Sequence, residues 1–265
     1  MRTLLIAGLV LASTAAMAQA PAFEVASIKP NVSGINFTRV RFQPNGEFVA
    51  TNATLRALII DAYQVRDSQL AGAPAWAGST RFDVVAKAAA DARSDDWRAM
   101  LRTLLEERFT LVVRRETREA SVYAMTLADP NGALGPRVKK TTLACAGAPQ
   151  PFLQPGQSNP CGLTATVGNG TRGLAGGAQT MGQIAAAIGN FATDRLVIDR
   201  TGIDGAFDFD LGWTVDSASV ATAPAQNELP SIFTAVREQL GLRLQPARGP
   251  VEFLIVDSVR ELIPD

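Results

Sequence analysis

The chain has 265 residues, with 25 Lys plus Arg against 25 Asp plus Glu, 47% apolar residues and no histidine. Charges this evenly matched give no net field toward nucleic acid or anionic lipid. The missing imidazole excludes Ser-His-Asp and Cys-His catalysis, His-ligated zinc and imidazole pH switching together.

The chain opens with an address. Arg2, an apolar run over residues 4–12 and small residues from Ala15 to Ala20 form the tripartite pattern of a secretory signal peptide. Residues 1–18 are expected to be removed. Cleavage after Ala18 is preferred to cleavage after Ala20, which leaves the rigid Pro21 just past the cut. An apolar core of about nine residues is too short for an anchor. The expectation is an exported protein of the periplasm or extracellular space, with no membrane span after cleavage.

The first half, residues 19–128, carries two helix patterns. Thr54 opens one with Leu55, Leu58, Ile59 and Ala62 on a single face, and Phe82-Asp83-Val84 begins a strand-like stretch. After Ser94 and Asp95 as start signals, Trp97, Met100, Leu101, Leu104 and Leu105 line the second helix. Thr110 to Arg115 and Ser121 to Leu127 read as a hairpin that turns over Glu116 to Ala120.

Residues 129–162 form a Pro- and Gly-rich linker loop that contains both cysteines, Cys145 and Cys161. In an oxidising compartment the two are expected to pair. Closing a loop of this size stabilises a fold by roughly 3 kcal/mol in the chain-entropy model.

The second half, residues 163–265, repeats the first at an offset near 126. Thr180 and Gln183 form a capping box ahead of Met181, Ile184, Ala185 and Ile188, and Phe207-Asp208-Phe209 answers Phe82-Asp83-Val84. Ile232, Phe233, Val236 and Leu240 line a last helix that Gly241 stops. Leu242 to Pro246 and Val251 to Asp257 read as a second hairpin, turning over Ala247 to Pro250, and residues 215–227 as a surface insertion. The expected fold is α+β: two similar helix-on-antiparallel-sheet units from an internal duplication, joined by a disulfide-stapled loop.

Several segments in order carry a family resemblance. Residues 23–30 (FEVASIKP), Gly72-Ala73-Pro74-Ala75-Trp76, residues 82–87 (FDVVAK), Glu107-Arg108-Phe109, residues 199–205 (DRTGIDG), Phe207-Asp208-Phe209 and Gln239-Leu240-Gly241-Leu242 span nearly the whole mature chain. With these the sequence resembles the uncharacterised "soil-associated" family of exported bacterial proteins, a domain of unknown function that also occurs fused behind membrane peptidases of the BlaR/MecR antibiotic-sensor type. The resemblance implies an envelope domain with binding or sensing as its role, and supplies no catalytic residues. Each half also resembles, more distantly, the short N-terminal domain of secretins and TonB-dependent receptors.

Motifs with chemical associations resolve into structure. Residues 168–173 match G-x-G-x-x-G, but the next helix opens only at Thr180, too late for its amides to meet a pyrophosphate, so a hairpin turn is expected. The acids from Asp204 to Asp210 lack calcium-loop spacing and suit a half-buried strand. Asp199-Arg200-Thr201-Gly202 interrupts the Asp-Thr-Gly of aspartic proteases. No metal ligand set and no cofactor is expected.

Tyr63, Trp76 and Trp213 remain as candidate ligand-binding residues, since each lies at the end of a regular element where an amphipathic ring can line a cleft. The expected function is a non-catalytic envelope module that binds or senses an unknown small molecule, peptide or envelope protein. A scaffolding domain that docks to another envelope protein is the alternative, and a carboxylate-dependent hydrolase the second alternative.

Overall fold

The computed structural model describes residues 20–35, 37–43, 45–89, 96–143, 145, 160–168, 170–215 and 229–262. The expected signal peptide, Ser94, Asp95, Asn169, most of the stapled loop and most of the 215–227 insertion lie outside the described residues. In chain order the elements are β1 (Val25–Pro30), β2 (Arg39–Phe42), β3 (Glu47–Thr54), α1 (Leu55–Tyr63), β4 (Leu70–Ala71), β5 (Arg81–Lys87), α2 (Trp97–Phe109) and β6 (Val112–Leu127). They continue with β7 (Val138–Lys140), β8 (Leu163–Val167), β9 (Thr171–Gln179), α3 (Met181–Ala192), β10 (Val197–Asp199), β11 (Phe207–Thr214), α4 (Ile232–Leu240) and β12 (Leu242–Ser258). The fold is α+β, as the alternation of helical and strand periods implies.

Two compact units result. One runs as far as Glu116 and resumes at Phe253; the other is Thr117–Glu252. In the first unit an antiparallel sheet of order β1-β5-β3-β2 turns Phe48, Ala50, Phe82 and Val84 inward against α1 and α2. Helix α1 starts at Thr54, whose hydroxyl oxygen accepts the Ala57 amide at 3.1 Å, and it buries the Leu55, Leu58, Ile59 and Ala62 face that its spacing predicts. Helix α2 buries Met100, Leu101, Leu104, Leu105 and Phe109, and Phe109 meets Phe82 edge to face at 5.3 Å.

The second unit holds an antiparallel sheet of order β7-β11-β9-β8. Helix α3 is capped reciprocally by Thr180 and Gln183, and buries Met181, Ile184, Ala185 and Ile188 against Leu174, Phe207, Phe209 and Leu211. Gly241 ends α4 with a φ of 68°, and a Cβ there would collide with the Gly135 backbone nitrogen. Cys145 and Cys161 are joined in a disulfide. The G-x-G-x-x-G segment is the turn of the β8–β9 hairpin, in which the Gly168 amide donates to the Thr171 carbonyl at 2.9 Å.

Three expectations are corrected. Neither hairpin forms: β6 and β12 are single strands of 16 and 17 residues. Glu116 to Ala120 and Ala247 to Pro250 lie inside these continuous strands, so the chain does not reverse there. Gly249 instead allows close packing, since a Cβ would lie 2.8 Å from the Ile198 side chain. The far half of each long strand serves the unit opposite to the one in which the strand begins. Tyr123 and Met125 of β6 enter the second core, and β10 pairs parallel to Tyr123–Met125. Leu254 and Val256 of β12 enter the first core, and β4 pairs parallel to Leu254–Ile255.

The linker, second, is not wholly irregular, because β7 within it forms the edge beside Phe207–Phe209 of β11. Third, α4 turns Ala235, Val236, Gln239 and Leu240 inward, and Phe233 remains 44% exposed. The rotation follows from Gln239: its side-chain amide donates to the Gly212 carbonyl at 2.8 Å and its oxygen accepts the Gly212 amide at 3.0 Å. Gln239 thereby replaces a strand partner beyond the reach of β7.

Candidate functional site

The first unit contains a cleft whose floor is built by a break in strand pairing. Between Ala50 and Ala53 the register of β3 on β5 shifts, and Asn52 takes a φ of 54°. Asn tolerates this left-handed conformation better than most residues. The Asn52 amide donates to Asp83 Oδ1 at 2.9 Å, and its buried side-chain amide donates to the carbonyls of Ile35 and Phe37. Asn52 therefore fixes the chain that leads from β1 into β2.

That chain and the turn before β5 enclose a cleft of about 520 Å³, lined by Pro30, Asn31, Val32, Ile35, Asn52, Thr80 and Arg81 among others. Most of its polar groups are satisfied internally. The Asn31 side chain donates to both Asp83 oxygens, at 2.8 and 2.9 Å, and the Thr80 hydroxyl donates to Glu261 Oε1 at 3.1 Å. Arg81 is the charged lining residue: one guanidinium nitrogen donates to the Asn52 carbonyl at 3.0 Å and to Thr38 Oγ1 at 3.3 Å. No carboxylate among the described residues pairs with that guanidinium. Of the lining residues, Val32 is 95% and Ile35 37% exposed, which gives the cleft an apolar rim.

Of the aromatic candidates, Tyr63 and Trp76 belong to the first unit and Trp213 to the second. Tyr63 is half-buried at the end of α1, with its hydroxyl 3.5 Å from Glu106 Oε1 and the Arg102 guanidinium 5.4 Å from its ring centre. Burial, reinforced by the Glu106 charge, pushes its phenol up to about 12. Trp76 lies in a short 3-10 turn, Ala75–Gly78, and its carbonyl accepts the Ser79 and Thr80 amides at 3.0 and 2.8 Å, next to the cleft wall. Trp213 is a core residue, 4% exposed. Phe207, Phe209, Leu211 and Trp213 alternate along the inward face of β11, and this alternation decides the orientation of Trp213 despite its place near the strand end.

Sequence reasoning missed Asn52, Arg39, Arg41 and Arg81. Its available signals were an Asn two residues ahead of a helix cap and the alternating Arg39-Val40-Arg41-Phe42.

The acids of the recognisable motifs hold the backbone. Asp208 accepts the Ala178 amide at 2.9 Å, and Asp199 accepts the amide and hydroxyl of Thr201 at 2.9 and 2.8 Å. Asp210 pairs with Arg137 at 3.2 Å. Among the described residues no three His, Cys, Asp or Glu side chains are grouped to hold a metal ion, and no helix is long and apolar enough to cross a membrane.

Asp83, Ala178 and Asp208 lie inside one family match, and Asn52 stands just ahead of it. Residues 56–259 fit the model of a domain family described as a protein of unknown function, DUF3738. Searches of curated proteins and of solved structures gave no match. The matched segment covers well over half of the chain and takes in both Asp83 and Asp208, so the chain belongs to the DUF3738 family.

Proposed function

We propose that this protein is an exported, non-catalytic module of the bacterial envelope that binds or senses a ligand, with the Arg81 cleft as its binding place. The carrying observation is the cleft itself, which combines an apolar rim with a fixed guanidinium that no carboxylate among the described residues neutralises. Such a pairing suits a ligand with an anionic or strongly accepting group beside an apolar one. The use of Asp83, Asp199 and Asp208 as backbone acceptors supports a binding role over a hydrolytic one. The Cys145–Cys161 disulfide suits an oxidising compartment, and the likeness to soil-associated exported proteins and to domains fused to antibiotic-sensor peptidases favours sensing. The test is a thermal-shift screen of anionic amphiphiles and peptides on the mature protein and on Arg81→Ala. A ligand that stabilises the wild type but not the variant supports the reading. Hydrolytic turnover abolished by a single Asp or Glu substitution, with folding unchanged, replaces it by the enzyme reading.

We also infer that the two units descend from an internal duplication. Supporting this, their antiparallel sheets have matching strand orders, and a residue of positive φ lies two positions ahead of Thr54 and of Thr180. Each of these residues donates its amide to the Asp of a Phe-Asp-aromatic or Phe-Asp-Val strand start. An experimental structure in which Ala178 has an ordinary negative φ removes this support.

A further inference from the structure

The cleft borders a free sheet edge. β2 is the outermost strand of its sheet, and it pairs with β3 through Arg39↔Thr51, Val40↔Ala50, Arg41↔Val49 and Phe42↔Phe48. The Gln43 amide donates to the Glu47 carbonyl at 2.7 Å, which marks Gln43 and Glu47 as a hydrogen-bonded pair. Antiparallel pairs alternate, so Arg41 and Arg39 also bond inward while the amides and carbonyls of Val40 and Phe42 face away from β3. Among the described residues nothing bonds those outward groups.

The side chains along this edge divide by sign and polarity. Arg39 and Arg41 are exposed on one face, whereas Val40 and Phe42 lie on the other and pack on the core. Neither arginine has a carboxylate partner among the described residues, and the Arg39 guanidinium lies 5.6 Å from the Phe37 ring centre. Arg81, through Thr38, adds a third guanidinium at the start of the strand.

We propose that β2 is a docking edge for an extended peptide strand with acidic residues at alternate positions and apolar residues between them. An added strand meets the outward amides and carbonyls of Val40 and Phe42. Strand periodicity then places every second side chain beside Arg39 and Arg41, where carboxylates are favoured, and the others beside Val40 and Phe42, where apolar groups are favoured. The corresponding edge strand of the second unit, β8, carries no charge in Leu163–Val167 and selects no such partner. Arginines on an edge also discourage sheet-to-sheet pairing between copies. A purely protective role predicts no peptide binding.

This proposal deepens the binding reading, and its test separates the two. Fluorescence anisotropy compares a labelled four-repeat Glu-Val peptide with a Lys-Val peptide on the mature full-length chain, with hydrogen exchange followed at Val40 and Phe42. The Glu-Val peptide is expected to bind and to slow exchange at both amides. Val40→Pro, which removes an outward donor and no β2–β3 bond, should weaken binding by about tenfold or more. Because Val40 also packs on the core, Arg39→Glu with Arg41→Glu, both at exposed side chains, provides the second variant and should reverse the preference toward Lys-Val. Equal affinity of the wild type for the two peptides, or no binding of either, overturns the proposal, as does an unchanged preference in the double charge variant. A ligand response lost in Arg81→Ala but kept in the double charge variant leaves the cleft reading standing without the edge.

Discussion

The backbone amide of Asn52 donates to the carboxylate of Asp83, and the same carboxylate also takes both contacts from the Asn31 side chain. One buried bulge therefore depends on one acid. Asp83→Ala leaves the Asn52 amide unsatisfied and should destabilise the first unit by about 1–3 kcal/mol. Asp208→Ala should do the same to the second unit through Ala178. Urea unfolding followed separately in each unit measures both, and Asp83→Asn, which keeps an acceptor oxygen, should cost less.

Ala178 adopts a φ of 53°, where its Cβ is strained. Ala178→Gly removes strain of about 1–2 kcal/mol but adds unfolded-state entropy, so a net gain of several tenths of a kcal/mol is expected. Gly72 behaves in the opposite way. Its φ is 77° and an added Cβ would stand 2.6 Å from the Val256 carbonyl oxygen, so Gly72→Ala should loosen the β4–β12 pairing and lower the melting temperature. Calorimetry of the two variants beside the wild type tests the contrast in sign.

Leu58 and Ile184 occupy matching positions on α1 and α3, and neither exposes any surface. Replacing either by Ala should cost about 2–5 kcal/mol, because the surrounding core collapses only partly around the cavity. Denaturant midpoints that barely move in either variant contradict the packing.

Tyr63 should ionise near 12, against 10 for an ordinary tyrosine. The sign follows from linkage: the folded state holds the phenolic proton more tightly than the unfolded chain does. The corresponding stability is intact below pH 10 and is lost as pH rises toward 12. Absorbance titration of the phenolate reads the value directly. Glu106→Gln should lower it, since the Glu106 charge disfavours the phenolate.

Helix faces were legible in the sequence because their signals are local. Thr54, Thr180 and Gly241 mark ends through bonds to near neighbours, and Leu55, Leu58 and Ile59 share a face by periodicity alone. Phe233 was misjudged because the orientation of α4 is set at a distance, by the Gln239 amide on Gly212. The continuity of β6 and β12 was equally hidden. Charged residues such as those from Glu116 to Glu119 suit a turn or an exposed strand alike, and their types do not decide between the two. The cleft depends on contacts between residues well separated in sequence, Asn52 with Asp83 and Arg81 with Thr38, which no spacing rule connects.

The residence of Leu254 and Val256 in the first core has a consequence for the timing of folding. During synthesis, N-terminus first, the segment up to Glu116 emerges well before the strand that finishes its interior. The earliest part of the chain is thus the last to close, since the second core needs β12 as far as Leu244 and the first needs it as far as Val256. Contacts of such long sequence separation slow folding. A chain that delays closure in this way keeps its first unit open until Leu254 and Val256 have been made.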